Sequence, residues 1–173
     1  MTLVAMKREV FDSLADERLG WACMEPTFMQ IRGKDISVKS EAISKLTEGQ
    51  RALCMFRVMY DHAKNSASEY YAWICYLLDI PDFWSGVMNG LNFFRDTSMI
   101  ALLNQTKEVL ETRNLKLGRQ WSDATLLDLD RDNELLNTIS RLFESFQEIA
   151  PASLKQISTY IRSNPQEFVI LEN

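Results

Sequence analysis

His62 is the only histidine of the 173-residue chain, so any histidine-dependent chemistry would have to use it. Asp61 precedes it directly, and Cys54 lies about two helical turns earlier if this segment is a helix. A nucleophile must lie within hydrogen-bond reach of its base. A single histidine near the end of an amphipathic helix is more often a capping or surface residue. We therefore expect no catalytic residue here, and an enzyme or metal protein that uses His62 stays an alternative.

The three cysteines, Cys23, Cys54 and Cys75, are widely spaced and form no CxxC pair. A zinc site would need Cys54 and Cys75 to converge with His62 and a carboxylate, although no short ligand pair brings them together. An odd number of distant cysteines is instead typical of buried, reduced thiols in a cytoplasmic protein. Glycine-rich phosphate-binding motifs do not occur either. The sequence therefore predicts neither a metal nor a cofactor.

Five carboxylates between residues 123 and 134 form a second group that could do chemistry: Asp123, Asp128, Asp130, Asp132 and Glu134. From Asp128 onward, their spacing follows the first ligand positions of an EF-hand calcium loop. The loop glycine is replaced by Asn133, and the final bidentate glutamate is replaced by Ile139. Without that glutamate we expect no calcium site. A loop in which Asp130 or Asp132 caps the following helix is the simpler interpretation.

The same segment concentrates the net charge of the chain, which is -5. Residues 123–148 contain seven acidic and two basic residues, and the regions before and after them are each neutral. Acidic residues at alternate positions of an extended segment stand about 6.7 Å apart, close to every second phosphate of a DNA strand. We therefore predict that the five carboxylates bind a protein partner, as an acidic nucleic-acid mimic that blocks a basic DNA-binding protein.

Several alternatives and exclusions accompany this prediction. An immunity or inhibitor protein that neutralises a basic toxin enzyme would use the same acidic surface. The negative net charge and the lack of a basic cluster argue against direct binding of nucleic acid. No apolar run is long enough to span a membrane, and the N-terminus lacks the order of a secretory signal. We therefore expect a cytoplasmic protein.

The elements that carry these residues are predicted to be helices. The clearest apolar stripe follows one face of a helix and comprises Leu135, Leu136, Ile139, Leu142, Phe143, Phe146 and Ile149. Thr47 and Ser66 begin capping boxes, Asp96 suits an N-cap, and Pro81 and Pro151 suit first helical turns. The sequence thus predicts an all-α, single-domain bundle of roughly eight helices over residues 1–173.

Other stretches of the chain are less regular. Residues 4–32 are predicted to form one or two helices, and Gly20 and Pro26 argue against a single unbroken one. Residues 114–122 are the expected main loop, and residues 168–171 are the best candidate for an extended segment. The aromatic stretch over residues 70–94 holds more Tyr and Trp than a sealed core favours. Part of it is therefore expected to face a groove or a second subunit, which raises a homodimer as an alternative.

Three segments resemble a small bacterial helical family named for a DNA-mimic protein. They are Leu46-Thr-Glu-Gly-Gln-Arg-Ala-Leu, Tyr60-Asp-His-Ala-Lys-Asn65 and Glu69-Tyr-Tyr-Ala-Trp-Ile. The resemblance spans residues 40–170, with residues 1–39 as an N-terminal helical extension. The family's Asn-Asn-Gly-Gly turn is Lys64-Asn65-Ser-Ala in this chain. The resemblance implies an all-α fold, no catalysis, binding of protein partners and, as in the named member, an acidic surface that imitates DNA.

Overall fold

The computed structural model describes residues 3–172, most of which are helical. The helices are α1 (Arg8–Ser13), α2 (Asp16–Ile31), α3 (Ile36–Ser44), α4 (Glu48–Ala63), α5 (Ala67–Asp79), α6 (Pro81–Phe93), α7 (Thr97–Leu117), α8 (Leu127–Arg131) and α9 (Asn133–Ser163). The strands are β1 (Val4–Lys7) and β2 (Val169–Glu172), and short 3₁₀-helices span Trp121–Asp123 and Pro165–Glu167. The all-α prediction is therefore confirmed.

Helix α4 lies at the centre of the bundle, and α2, α5 and α6 pack around it. Its start is a capping box. The Thr47 hydroxyl accepts from the Gln50 amide at 3.2 Å, and the Gln50 side chain accepts from the Thr47 amide at 3.2 Å. Helix α6 comes especially close, because a Cβ atom at Gly90 would lie 2.8 Å from the carbonyl oxygen of Ala52. Helices α4 and α6 therefore meet backbone to backbone.

Helix α9 is the longest element, with 31 residues, and it packs against α2, α5 and α7. We expected a new helix to begin at Pro151, and that prediction is wrong because α9 continues through this residue. A proline removes one backbone hydrogen bond, to the carbonyl four residues earlier. That carbonyl belongs to Gln147, and both residues are exposed, so water can solvate it. The predicted apolar stripe lies along this helix, with Leu135, Ile139 and Phe146 buried.

Helix α2 likewise continues through Gly20 and Pro26, which the sequence had suggested would break it. Pro26 is exposed, and Ala22, whose carbonyl loses its helical hydrogen bond, is only partly buried. Helix α7 is longer than predicted, since it extends into the expected loop as far as Leu117. It ends at Gly118, whose positive φ of 64° is the left-handed conformation typical of a helix C-terminus.

The two ends of the described chain pair with each other. Strands β1 and β2 form a parallel two-stranded sheet in which Val4 is opposite Val169. The extended segment expected after residue 168 is therefore present, and its partner strand β1 was not anticipated. Arg162 adds to this link, because its guanidinium donates to the carbonyls of Phe11 and Leu14, each at 2.6 Å. Within residues 3–172, no helix combines the length and apolar character needed to cross a membrane.

Candidate functional site

A groove of about 480 Å³ opens between helices α2, α3, α4, α5 and α6. We call it the aromatic groove. The side chains that characterise it are Trp21, Phe28, Met55, Trp73, Tyr76 and Phe83. Its volume lies within the range of ligand-binding clefts, which are mostly apolar and carry a few polar groups. The aromatic surplus of the sequence indicated such a groove, and this part of the prediction is met.

Two walls of the aromatic groove, on α2 and α5, are stacks of rings. On α2, the rings of Trp21 and Phe28 stack with their centroids 5.5 Å apart. On α5, the rings of Trp73 and Tyr76 stack at 4.8 Å. The Trp73 indole N–H donates to the Val58 carbonyl at 2.8 Å, which satisfies its polar atom and fixes the ring. The walls are therefore positioned by α2 and α5 before any ligand arrives.

His62 is part of the groove wall. Its ring stacks on that of Trp73, with 3.8 Å between the centroids. The adjacent Asp61 uses its carboxylate for another partner, since it accepts from the Arg57 Nε at 2.9 Å. The imidazole therefore adds flat ring surface to the groove, and Asp61 is engaged by an arginine.

Arg57 places a buried positive charge beneath the groove, with only 3% of its side chain exposed. Besides Asp61, it donates to the Glu17 carbonyl at 3.2 Å, and its guanidinium lies 5.5 Å from the Trp21 ring centroid. Lys64 pairs with Glu17 and lowers the pKa of that carboxyl group. Burial raises the pKa of Asp61, and the charges of Arg57 and Lys64 oppose this rise. The buried arginine is thus compensated within the fold.

The three cysteines lie in the interior, as predicted. Burial raises the pKa of the thiols of Cys23, Cys54 and Cys75 to about 12. At neutral pH they are protonated and therefore poor nucleophiles. Among residues 3–172, no group of three His, Cys, Asp or Glu side chains is arranged to hold a metal ion.

Two cations lie at the end of the groove formed by α2 and α3. Arg32 directly follows α2, and Lys39 lies on α3. In the described part of the chain, neither forms a salt bridge. Helix α3 buries none of its residues, and Ile36 is 51% exposed. This end of the groove therefore offers charge and apolar surface to solvent.

The acidic segment around α8 is arranged differently from the extended row that we assumed. Asp128 is only 12% exposed and accepts hydrogen bonds from Tyr71 at 2.8 Å and from Arg119 at 2.9 Å. The backbone amide of Thr125 donates to it at 3.0 Å. Burial raises the pKa of Asp128, but these hydrogen bonds outweigh it and lower the pKa to about 2. Asp128 therefore connects α5, the loop after α7 and the residues just before α8.

Asp132 caps a helix, and Asp123 stabilises the start of the 3₁₀-helix that contains it. Asp132 is the N-cap of α9, where it accepts from the Leu135 amide at 2.9 Å, and Arg113 donates to it at 3.3 Å. One of the two predicted capping residues is thereby confirmed. Asp123 accepts from the Gln120 amide at 2.8 Å, although its side chain stays exposed.

Asp130 and Glu134 are the remaining two nominated carboxylates, and both are exposed. Because residues 127–131 are helical, the alternating spacing of an extended chain does not occur here. The sequence interpretation also overlooked Leu126 and Leu127, which are 53% and 54% exposed beside these acids. Their consecutive position in an acidic segment was the available signal. The role of the five carboxylates in partner binding stays a prediction.

No protein-family model matches this chain, and no significant match exists among curated proteins or solved structures.

Proposed function

We propose that this chain is a non-enzymatic protein-binding domain and that its aromatic groove receives an apolar segment of the partner. The observation that carries the proposal is the exposure of large apolar side chains at this groove. Met29 is 66% exposed and Tyr76 is 39% exposed, although both line a concave surface. Buried aromatic anchors supply most of the binding energy in protein interfaces. A partner that covered these side chains would gain that energy.

The length of the groove favours a helical segment. On α2 the lining runs from Trp21 to Ile31, which corresponds to about 15 Å along a helix axis. An amphipathic helix of about three turns covers this distance and can present apolar residues at i, i+3, i+4 and i+7. Two walls of stacked rings flank the space that such a helix would fill.

The chemistry of the reactive side chains supports a non-enzymatic role. The thiols are protonated at neutral pH because they are buried. His62 stacks on Trp73, and its neighbour Asp61 accepts from Arg57. A general base needs an orienting partner of this kind, and here that carboxylate already compensates a buried arginine.

Selection from a displayed library of amphipathic helical peptides tests the proposal. We expect the wild-type chain to enrich peptides with a regular apolar stripe. The double variant Met29→Glu/Tyr76→Glu places two charges in the groove at exposed positions, so it should fold and lose these peptides. Val10→Glu/Ile170→Glu is the matched control, since both residues are exposed apolar side chains away from the groove. Equal enrichment by wild type and groove variant would refute the proposal.

A second candidate function uses the acidic segment and binds a basic partner, either a DNA-binding protein or a toxin enzyme. The exposed pair Leu126 and Leu127 favours it, because apolar anchors between carboxylates suit a basic protein surface. Affinity capture from a lysate of the source organism would compare wild type with Leu126→Ser/Asp130→Asn/Glu134→Gln. Loss of a basic protein by this variant, with retention by Met29→Glu/Tyr76→Glu, would favour the acidic segment over the groove.

A further inference from the structure

We infer that the partner of the aromatic groove is an amphipathic helix with an acidic terminal turn, whose carboxylates bind Arg32 and Lys39. The inference rests on the proposed function and adds the chemistry of the partner. It depends on where the uncompensated charges of the groove lie.

The charged side chains of the lining do not balance. Three cations, Arg32, Lys39 and Arg57, accompany one carboxylate, Asp61. Arg57 and Asp61 form an ion pair in which the arginine is buried, and their charges cancel. Asp35 lies four residues before Lys39 in the sequence and forms no salt bridge in the described chain. The excess positive charge therefore belongs to Arg32 and Lys39, both at the α2–α3 end.

Helix α3 presents these features along a single stripe. Ile36, Lys39 and Ile43 are separated by three and four residues, so they share one helical face. Lys39 and Ile43 line the groove, which places Ile36 at its rim. Ile36 is half exposed. A bundle helix ordinarily contributes buried residues to the core, but α3 contributes none. This face has the composition of an interface, with apolar contacts beside a cation.

The order of features along the groove then defines the partner. The stacked rings of Trp21 and Phe28 come first and favour apolar side chains in the partner, and Arg32 follows directly after the end of α2. A peptide helix lying along α2 would therefore place its apolar stripe on the rings and one terminal turn beside the two cations. Carboxylates in that turn would provide charge complementarity and specificity.

Four displayed libraries test this inference. All share a helical background of about 14 residues with randomised apolar positions at i, i+3, i+4 and i+7. They carry either glutamates or lysines in the first or the last turn. We expect wild type to enrich a glutamate library, and the best synthetic peptide to bind about tenfold more tightly than its glutamine counterpart. This preference should weaken at high salt concentration.

Charge reversal in the protein provides the decisive comparison. Arg32→Glu/Lys39→Glu should invert the preference to a lysine library. Arg131→Glu/Lys155→Glu changes the net charge equally at exposed residues outside the groove and should keep the wild-type preference. Circular dichroism of both variants would verify that they fold.

The outcomes separate the two proposals. Two results would refute the acidic partner and leave the groove as a binding site. One is enrichment of apolar helices by wild type without a preference for charge, and the other is an inverted charge preference in the control variant. If no library is enriched, the proposed function itself fails. If the protein instead self-associates, and Arg32→Glu/Lys39→Glu abolishes the association, the occupant is a second copy of this chain, which also overturns the inference.

Discussion

At the scale of single residues, Asp128 is a predicted partner-binding carboxylate that accepts hydrogen bonds from within the fold. Its hydrogen bonds link α5 through Tyr71, the loop after α7 through Arg119, and the start of α8 through Thr125. The sequence shows an acid in an acidic segment but does not show these partners, since Tyr71 lies 57 residues away. In contrast, the cap formed by Asp132 depends only on local spacing and was predictable.

The low pKa of Asp128 predicts a specific dependence of stability on pH. The pKa is about 2 in the folded chain and about 3.9 in the unfolded chain. Because the folded value is lower, the carboxylate stabilises the fold above about pH 4, and this contribution of about 2 kcal/mol is lost as pH falls to about 2. Asp128→Asn should therefore reduce the free energy of unfolding at neutral pH, with the difference from wild type shrinking in acid.

Urea unfolding between neutral and acidic pH would measure this difference. Asp130→Asn is the matched control, because Asp130 is exposed in the same helix. An equal response of the two variants at every pH would contradict the structural role of Asp128.

Asp132 predicts a difference between two substitutions. Alanine removes the N-cap of α9, so Asp132→Ala should lower the free energy of unfolding by about 1 kcal/mol. Asparagine keeps a capping oxygen, so Asp132→Asn should retain most of the stability. Thermal unfolding of both variants would check this expectation, and equal losses would show that the cap is not the cause. Binding experiments with variants of Asp128 or Asp132 therefore need a stability control.

At the scale of elements, the contact between α4 and α6 depends on a glycine. Adding a Cβ atom at Gly90 would bring it within 2.8 Å of the backbone oxygen of Ala52, which cannot move without shifting α4. This contact matters for the groove, because Met55 on α4 and Phe83 on α6 both line it. A displacement of the two helices would therefore move Met55 and Phe83 and change the shape of the groove.

Gly90→Ala should consequently destabilise the protein by about 1–3 kcal/mol, despite the better helix propensity of alanine. Gly20→Ala is the matched control within α2, since its Cβ atom would lie 3.4 Å from a Leu53 methyl group and fit by ordinary contact. We expect Gly20→Ala to be neutral or stabilising in urea unfolding. A Gly90→Ala variant as stable as wild type would show that the two helices separate easily.

Sequence patterns predicted helix starts better than helix continuity. The N-caps at Thr47, Ser66 and Asp96 form as expected, because each depends on residues three positions apart. The capping box predicted at Ser66 is only half formed, since the Glu69 carboxylate accepts from Asn65 rather than from the Ser66 amide.

The helix boundaries predicted at Pro26 and Pro151 are wrong, since both residues lie inside continuous helices. A helix tolerates an internal proline where water can solvate the carbonyl group that loses its hydrogen bond. Tertiary packing decides which side of the helix faces water.

At the scale of the whole molecule, the aromatic groove exists only because five helices meet. The aromatic surplus of the sequence indicated that some rings would face a groove, and Trp73, Tyr76 and Phe83 do so. The opposite wall, formed by Trp21 and Phe28, could not be assigned from the sequence, because nothing local shows that α2 and α5 line the same groove. The fold class was thus predictable from helical periodicity, whereas the candidate site required the packing of distant elements.

The most direct test of the central claim is an NMR titration of methionine methyl groups with a helical peptide selected against the wild-type chain. Met29 and Met55 line the groove, whereas Met6 and Met99 lie in the interior away from its lining. We predict that peptide binding shifts the signals of Met29 and Met55 and leaves those of Met6 and Met99 unchanged. Binding that leaves the Met29 and Met55 signals in place would contradict the assignment of the groove as the binding site.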